Sequence, residues 1–498
     1  MSHPIYKSIL FVVCCVMALS LTPVVDAQSR TTGNPSQDAP PRPNILMIIT
    51  DDQGEWTLGA TGNRDAVTPN MDRLAREGTR LSNAFVVTPV CSPSRVATIT
   101  GRYASEFGIL DWINPNSEQH LGLDAEAMTW PRLLADVGYR TGLVGKWHLG
   151  LQPHHHPTAF GYESFAGFLE GGNSTRNPTL SIDGVSRVRE GLCVDLLTDL
   201  AIDFIQQAPD ERPWCLSLHY RAPHGAYLPV QEEVWEHFRE KPVQIADYPD
   251  LDRSLVSEHM REYLASIADI DRNLQRVLDL LDELQVASNT LVIFTSDHGY
   301  NLGHHGLEYK GNAYWRLNQE PRKIWPEVAA KRRPNMFDTS LRVPAVIRWP
   351  GHVPAGKTVE AWTSNLDWFP TLCEIAGVDS AKTGEVPLRG QSLWPALRGE
   401  AATIPASGNE MYFEYSMRHG SQTDMRALRT DDWKYMRDFK NPGRVELYNL
   451  RQDPGELENL AHLKTPEVQT LISKFDARLA AKMHEISDPL VSSISPQP

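Results

Sequence analysis

The chain has 498 residues and a formal net charge of −14 at pH 7. Hydrophobic residues make up 41% of it, which is typical of a soluble globular protein and enough for a sizeable core. The acidic balance argues against general nucleic-acid binding, and six cysteines in so long a chain exclude a fold built on disulfides.

The N-terminal residues have the features of a secretory signal. Lys7 precedes an apolar stretch over residues 9–21, and residues 25–27 offer a small-residue cleavage site. The stretch is short for a membrane span, which needs about 20 apolar residues, although an uncleaved anchor is the alternative. We therefore predict a signal peptide over 1–27, a disordered leader over 28–41, a secreted or periplasmic location and no stable membrane anchor.

Apolar strands alternate with amphipathic helices over most of the chain. Predicted strands cover 44–50, 141–146, 214–220, 290–295 and 343–348. Predicted helices cover 70–77, 130–137, 192–205 and 260–284. This alternation predicts an α/β fold, with a large mixed, mainly parallel sheet sandwiched by helices, over residues 42–400.

The character of the sequence changes near residue 400. Short antiparallel strands are predicted over 410–415, 426–429 and 433–436, and a helix over 466–483. These elements predict a small C-terminal α+β domain over 401–498, after the larger catalytic domain.

The run Cys91-Ser92-Pro93-Ser94-Arg95 is the most informative motif. Pro93 suits the first position of a helix with Ser92 as its N-cap, and Gly101 is the predicted end. Cys91 then lies at a helix N-terminus, where free N–H groups favour an anion such as sulfate, and Arg95 falls on the same side. An ordinary buried cysteine before a capped helix is the alternative.

Acidic residues follow two of the predicted strands. Asp51 and Asp52 come directly after the first strand, and Asp297 and His298 follow the strand over 290–295. In open α/β sheets, ligands bind beyond the carboxyl ends of the strands. Three carboxylates at one sheet edge suit Ca²⁺ or Mg²⁺.

Basic residues occupy similar strand-to-loop junctions. Lys146 and His148 stand two residues apart at a strand end, so their side chains point to one face. His224 follows the strand over 214–220, and Lys310 follows the Asp297 strand by a loop. Taken singly, each residue is typical of a solvated surface group.

Together, these motifs resemble the formylglycine-dependent (type I) sulfatases of the alkaline-phosphatase superfamily, in the order that the family has them. The resemblance extends from about residue 44 to residue 460. It rests on Asp51-Asp52, Cys91 to Arg95 with Thr100-Gly101-Arg102, Gly145-Lys146-Trp147-His148, Pro223-His224, Asp297-His298-Gly299, Lys310, Leu341-Arg342-Val343-Pro344, and segments 429–435 and 446–456.

The resemblance implies a modified residue and a metal. Dedicated formylglycine-generating machinery would oxidise Cys91 to formylglycine. The implied metal ligands are Asp51, Asp52, the modified Cys91, Asp297 and His298. The implied ion is Ca²⁺, with Mg²⁺ as the alternative, although many relatives carry Asn at the position of His298 and a nitrogen ligand is less usual for Ca²⁺.

The resemblance also implies residue roles. One hydroxyl of the formylglycine hydrate attacks sulfur, assisted by the metal and Arg95. His148 is the implied base for release of sulfate, with Lys146 beside the hydrate. His224 and Lys310 are implied to bind sulfate oxygens and to stabilise the leaving oxygen.

An apparent insertion, residues 311–335, separates Lys310 from the run that normally follows it. It has a local charge of +4, six positive residues against two negative ones, on a chain of net charge −14. The charged residues are Arg316, Arg322, Lys323, Lys331, Arg332 and Arg333 against Glu320 and Glu327. With Trp315 and Trp325 available to stack on sugar rings, we expect the insertion to bind an anionic substrate; a solvated loop with incidental charge is the alternative.

The sequence therefore predicts a sulfuric ester hydrolase acting on a sulfated carbohydrate, namely a sulfated polysaccharide or its oligosaccharides. A phosphonate monoester or phosphodiester hydrolase with the same nucleophile is one alternative, because sulfate and phosphate esters share tetrahedral geometry. A non-catalytic protein that binds sulfated glycans, with Cys91 unmodified, is the other.

Overall fold

A ten-stranded mixed sheet forms the centre of the computed structural model, which describes residues 42–208, 211–321, 325–384, 386–400 and 410–493. The predicted signal peptide and leader lie outside the described residues. The strands are β1 (Asn44–Asp51), β2 (Thr79–Phe85), β3 (Arg140–Lys146), β4 (Ser164–Phe168), β5 (Thr179–Ile182), β6 (Val185–Val188), β7 (Trp214–Pro223), β8 (Thr290–Ser296), β9 (Leu307–Glu308), β10 (Tyr314–Trp315), β11 (Ala345–Arg348), β12 (Lys357–Ser364), β13 (Glu410–Tyr415), β14 (Met425–Thr430), β15 (Trp433–Asp438) and β16 (Val445–Asn449).

The large sheet has the strand order β12-β2-β11-β8-β1-β7-β3-β4-β5-β6. Its central strands β8, β1, β7, β3 and β4 run parallel, whereas β11, β5 and β6 are antiparallel to their neighbours. The predicted α/β class with a mixed, mainly parallel sheet is therefore confirmed.

Helices cover both faces of this sheet. They are α1 (Pro69–Glu77), α2 (Cys91–Thr100), α3 (Trp130–Asp136), α4 (Cys193–Gln206), α5 (Glu232–Phe238), α6 (Arg253–Glu283), α7 (Asp338–Leu341), α8 (Trp368–Ile375), α9 (Ser380–Gly384), α10 (Trp394–Leu397) and α11 (Pro466–Glu485). No helix within the described part of the chain is both long and apolar enough to span a membrane.

The buried strand β1 shows how the sheet is covered. Ile45, Met47 and Ile49 share a hydrophobic cluster with α2, α3 and α8. Leu46 and Ile48 point the other way, into a cluster with α1, α4 and α6. Successive side chains of a strand point to opposite faces, so a strand covered on both faces has to be apolar at every position.

The C-terminal residues form a second, antiparallel sheet in the order β13-β14-β15-β16. The long helix α11 buries Phe475, Leu479 and Met483 in one cluster with Leu428 and Tyr435 of the sheet. This small sheet with its helix confirms the second half of the predicted fold class. The described residues from Arg42 onward nevertheless form one compact unit, and the division at residue 400 stays a prediction.

Two sequence predictions need correction or extension. Helix α2 begins at Cys91, after Val90 in extended conformation, so Ser92 is not its N-cap. The Ser92 hydroxyl instead accepts a hydrogen bond from the Ile113 amide at 3.0 Å. The predicted end at Gly101 is confirmed, because this glycine has a φ of 66° in the left-handed region. The sequence does not predict the strands β2, β4, β5, β6, β9, β10, β12 and β16.

Candidate active site

Four adjacent strands bring the candidate residues to one edge of the large sheet. β8, β1, β7 and β3 lie side by side, and Thr50 pairs with Ser296 while Gly145 pairs with His219. Since the strands are parallel, their carboxyl ends meet at the same edge. The Asp297 amide donates to the Thr50 carbonyl at 2.9 Å, which carries the register of β1 and β8 into the site.

Cys91 reaches this edge from the first position of α2. Its Sγ lies 3.5 Å from His298 Nε2 and 3.9 Å from Asp51 Oδ1. Lys310 Nζ lies 3.2 Å from the same sulfur. The thiol is therefore buried among groups from the end of β1, from the residues just after β8 and from the residues just after β9.

Buried cations pair with the carboxylates of β1. Lys146 Nζ donates to Asp51 Oδ2 at 2.6 Å, and Lys310 Nζ donates to Asp52 Oδ1 at 2.6 Å. Burial raises the pKa of the Cys91 thiol, but Lys146 and Lys310 more than offset it and hold this pKa well below its ordinary value. The two lysines thus favour the thiolate form of the unmodified residue.

A group of buried side chains here has the arrangement of a metal site. Ligand atoms of Asp51, Cys91, Asp297 and His298 all lie within 4.8 Å of one another. His298 Nε2 lies 3.2 Å from Asp52 Oδ1 and 3.3 Å from Asp297 Oδ1. The other oxygen of Asp52, Oδ2, is buried with no hydrogen-bond partner among the described residues.

Burial lowers the pKa of His298, but Asp297 and Asp52 outweigh that effect and raise this pKa to about 9. The nearby carboxylates thus favour the protonated, positively charged form of His298. A bound cation would take the place of that proton.

One ring nitrogen of His148 is fixed by a backbone carbonyl, and the imidazole also interacts with the Cys91 side chain. Nε2 lies 3.0 Å from the Ile113 carbonyl, so this nitrogen carries the proton, and Nδ1 is buried without a hydrogen-bond partner among the described residues. Burial lowers the pKa of His148, which keeps the imidazole neutral. Gly171 is required beside it, because a Cβ at residue 171 would lie 2.4 Å from the imidazole.

His224 and Lys310 line a cavity of about 600 Å³ together with Cys91 and His148. His224 Nδ1 lies 2.9 Å from the Gly225 carbonyl, which makes Nδ1 the donor. Burial, with the positive charge of Lys310, lowers the pKa of His224 to about 3.

The Arg95 side chain contacts residues in the interior of the cluster. Its guanidinium contacts Asp297 Oδ2 at 2.9 and 3.0 Å and donates to the Lys146 carbonyl at 3.0 Å. His219 Nδ1 lies 3.3 Å from Arg95 Nη1 and 3.0 Å from that same carbonyl. Sequence reasoning missed His219, because an imidazole inside a strand carries no signal of its neighbours.

The same cavity is also lined by Trp112, Asn312, Tyr314, Arg332 and His419, which together are named the second wall. Sequence reasoning singled out only Arg332 among these, as one of the charges in the insertion. The others come from loops or from β10, and His419 lies more than 300 residues beyond Trp112 in the chain. Their proximity has no periodic signal in the sequence.

The charged side chains of the insertion, residues 311–335, differ in their surroundings. Arg322 and Lys323 lie outside the described residues. Arg316 binds Glu308, Lys331 Nζ lies 2.7 Å from Glu320, and the buried Arg333 lies 2.9 Å from Glu446.

The two tryptophans of the insertion are placed away from the cavity lining described here. Trp325 lies under the guanidinium groups of Arg333 and Arg444, and Trp315 packs against a cluster that contains Leu307 and Phe337. Tyr314 is the aromatic residue that the insertion contributes to the cavity.

Comparison with known proteins agrees with this geometry. The sulfatase family model matches residues 43–378, and the model of the N-sulphoglucosamine sulphohydrolase C-terminal region matches residues 330–485. An N-acetylglucosamine-6-O-sulfatase of Bacteroides thetaiotaomicron is 27% identical, over 88% of this chain and 86% of its own. Human N-acetylgalactosamine-6-sulfatase is 30% identical, over 73% of this chain and 67% of its own.

A solved structure shows the same likeness. The crystal structure of Ps i-CgsB in complex with k-i-k-neocarrahexaose has a TM-score of 0.69 and 26% identity, covering 89% of this chain and 92% of the other. Fold and sequence thus define the alkaline-phosphatase-like class of sulfatases. The chain belongs to the sulfatase family and is a sulfatase.

Proposed function

We propose that this sulfatase removes sulfate from a sulfated carbohydrate, through formylglycine formed at Cys91 and a bound Ca²⁺ ion. The observation that carries the proposal is the position of Cys91 Sγ, within 3.9 Å of side-chain atoms of Asp51, His298 and Lys310 on a cavity of about 600 Å³. Two relatives are named for sulfated amino sugars, and a solved relative holds a neocarrahexaose.

The ligand set fits a divalent cation. Asp51, Asp52 and Asp297 supply hard oxygens, and the unpartnered Asp52 Oδ2 is an available donor. His298 would complete the set with Nε2, and Mg²⁺ is the alternative ion. When bound, the cation would stabilise the negative charge that develops on the reacting oxygens.

His148 is suited to act as the base. Its neutral imidazole directs the unprotonated Nδ1 into a buried space, while Nε2–H is fixed on the Ile113 carbonyl. The formylglycine hydrate at Cys91 would supply one hydroxyl to attack sulfur and a second whose proton must leave for sulfate to be released. Lys146 is held at the Asp51 carboxylate and places positive charge beside this centre.

His224 and Lys310 would hold the substrate sulfate and stabilise the leaving oxygen. Both line the cavity that Cys91 opens into, and Lys310 Nζ is already 3.2 Å from the Cys91 sulfur. With Nδ1 bonded to the Gly225 carbonyl, His224 presents Nε2 to a ligand. Positive charge placed before the reaction costs no reorganisation when negative charge develops.

The predicted signal peptide supports a secreted or periplasmic location, where sulfated polysaccharides are found. We also propose the domain division at residue 400, with the catalytic cluster in the part over 42–400.

Two measurements test the proposed function. The tryptic peptide containing Cys91 should be about 18 Da lighter than the unmodified peptide, as expected for the conversion of thiol to aldehyde. The same preparation should release sulfate from 4-nitrophenyl sulfate and from a sulfated oligosaccharide, and much less phosphate from 4-nitrophenyl phosphate. A preference for the phosphate ester or for a phosphonate ester would favour the alternative hydrolase. An unmodified Cys91 with no turnover would favour a glycan-binding protein.

A further inference from the structure

Among the four cations of the insertion that the structure describes, Arg332 is the one without an acidic partner. Arg316, Lys331 and Arg333 each form an ion pair with a glutamate. Among the described residues, no carboxylate lies within 4.0 Å of the Arg332 guanidinium, which is half-buried at the cavity. A half-buried guanidinium without a counter-ion carries a positive charge and N–H donors that a bound anion could satisfy.

Two contacts fix the Arg332 guanidinium in place. Its Cζ lies 3.6 Å from the centroid of the Tyr314 ring, and Nη1 donates to the Asn312 carbonyl at 2.8 Å. A guanidinium has five N–H donors, so most of them remain available. The stacked, planar arrangement suits bidentate binding of an oxyanion, and the side chain loses little further entropy when it binds.

Asn312 places Arg332 close to the reaction centre but apart from it. Asn312 follows Lys310 by two residues, and both residues line the same cavity. Asn312 Oδ1 is buried with no hydrogen-bond partner among the described residues, so an acceptor stands beside the free donors of Arg332. The scissile sulfate has its own partners at His224 and Lys310, which leaves Arg332 for a different group of the ligand.

The rings of Trp112 and His419 pack against each other in the second wall. Their ring centroids lie 4.3 Å apart with a 39° tilt. His419 is fixed by two carboxylates, Asp111 at 3.0 Å from Nδ1 and Glu118 at 3.2 Å from Nε2. A rigid aromatic surface next to polar groups is typical of a pocket that orients a sugar ring.

We propose that Arg332 binds a second oxyanion of the substrate, a sulfate or a carboxylate, while Trp112 and His419 contact the sugar that carries it. The inference rests on the proposed function, since it assumes that the scissile sulfate ester lies at Cys91. It makes the enzyme selective for carbohydrates with at least two anionic groups. Within residues 311–335 it assigns this selectivity to one residue.

The test uses full-length enzyme with Cys91 converted and a panel of defined oligosaccharides from chondroitin, heparan, carrageenan and fucan. For each sugar, the panel holds a form with one sulfate, a form with a second sulfate and a form linked to a hexuronate. Sulfate release gives kcat/KM for the wild type, Arg332→Gln, Arg332→Lys and the control Lys331→Gln. Lys331 is the adjacent exposed cation, and it is paired with Glu320.

We expect the wild type to prefer a form with two anions, and Arg332→Gln to lower that preference about tenfold, as expected for one charge-assisted hydrogen-bonded contact. Arg332→Lys should restore part of it, because charge is kept but the bidentate geometry is lost. Lys331→Gln should retain the wild-type preference. If Arg332→Gln loses only the preference for the form with a second sulfate, the group bound by Arg332 is a sulfate. If it loses only the preference for the form linked to a hexuronate, that group is a carboxylate.

Other outcomes separate the two proposals. A wild type that turns over only forms with one sulfate, or an Arg332→Gln variant that lowers kcat/KM equally for all forms, overturns the second-oxyanion site and leaves the sulfatase proposal standing. A wild type that releases no sulfate from any sugar overturns the proposed carbohydrate substrate and this inference with it. If Arg332→Gln has a lowered melting temperature, the test uses the preference of Arg332→Lys for the forms with two anions instead.

Discussion

Charge is balanced residue by residue around Cys91. Lys146 neutralises Asp51, Lys310 neutralises Asp52, and Arg95 neutralises Asp297. Each pair is buried, so removal of one partner leaves an uncompensated charge in a low-dielectric setting. Two residues of the site also adopt positive φ, 73° at Asp52 and 62° at His148, which costs about 1 to 2 kcal/mol for a residue other than glycine.

Replacing Cys91 with alanine should abolish turnover while the fold remains intact. The side chain supplies the carbon that formylglycine chemistry requires, and alanine cannot be converted to an aldehyde. Activity on 4-nitrophenyl sulfate and the melting temperature should be measured together. More than trace activity in a preparation free of wild-type enzyme would rule out the formylglycine mechanism.

Asp51→Asn and Asp297→Asn should lower metal content and activity together, because each removes a negative charge from the proposed cation site. His298→Asn should be milder, since an amide oxygen can still act as a ligand. Elemental analysis of the purified variants provides the measurement. Full metal occupancy in both aspartate variants would show that the cation binds elsewhere.

Replacement of His148 with alanine should separate the two halves of the reaction. Without the free Nδ1 the release of sulfate should slow, while the attack that releases the alcohol is less affected. Rapid mixing with 4-nitrophenyl sulfate should then give a stoichiometric burst of nitrophenol and a slow steady state. Equal loss of the burst and of the steady state would assign His148 a different role.

At the level of elements, a largely buried ion-pair network joins α7 to the C-terminal sheet. Asp338 lies 2.9 Å from Arg429 of β14 and 2.9 Å from Lys434 of β15, and Lys434 also lies 2.8 Å from Glu456. Burial raises the pKa of Asp338, but Lys434 and Arg429 outweigh it and hold this pKa well below its ordinary value.

Asp338→Asn should therefore destabilise the protein by about 3 kcal/mol at neutral pH, the usual effect of breaking a buried ion pair. Since the folded pKa is depressed, the stabilisation is present above about pH 4 and is lost as pH falls through the folded pKa. Asp432→Asn is the matched control, because its pair with Arg451 is exposed and should contribute about 1 kcal/mol or less. Urea unfolding of both variants is the measurement. Equal decreases in the free energy of unfolding would contradict this prediction.

At the level of the whole molecule, the two sheets share one interior. Val87, Ala97 and Tyr103 lie in the same hydrophobic cluster as Tyr412 and the helix α11. The Glu414 amide donates to the Val87 carbonyl at 3.0 Å, and the Glu414 carboxylate accepts from the Ser105 hydroxyl at 2.6 Å. His419, from the part of the chain after residue 400, lines the cavity that contains Cys91.

We expect the two parts to unfold together and a chain ending at residue 400 not to fold. Truncation would expose the apolar surface that Val87, Ala97 and Tyr103 bury in the full chain. Calorimetry of the full chain should show one transition, and the truncated chain should lack near-ultraviolet circular dichroism. Two separated transitions, or a soluble and active truncated enzyme, would contradict this prediction.

Much of the site followed from the sequence because its residues stand at the ends of regular elements. Asp51, Asp297 and Lys146 lie directly at the ends of apolar strands, and apolar strands that alternate with helices are recognisable in the sequence and favour a mainly parallel sheet. Cys91 belongs to a local motif, and its helix ends at a glycine as predicted. Local patterns therefore determined the fold class and the residues around Cys91.

Only the tertiary structure decided the second wall, the neighbours of Arg95 and the fate of the charges in the insertion. Trp112, Tyr314 and His419 meet through loops and strands whose paths depend on packing between distant segments. Arg332 and Arg333 are adjacent in sequence, yet one faces the cavity and the other is paired with Glu446 in the interior. Charge in a sequence gives the number of cations, whereas the partner of each cation is set by long-range contacts that no local pattern encodes.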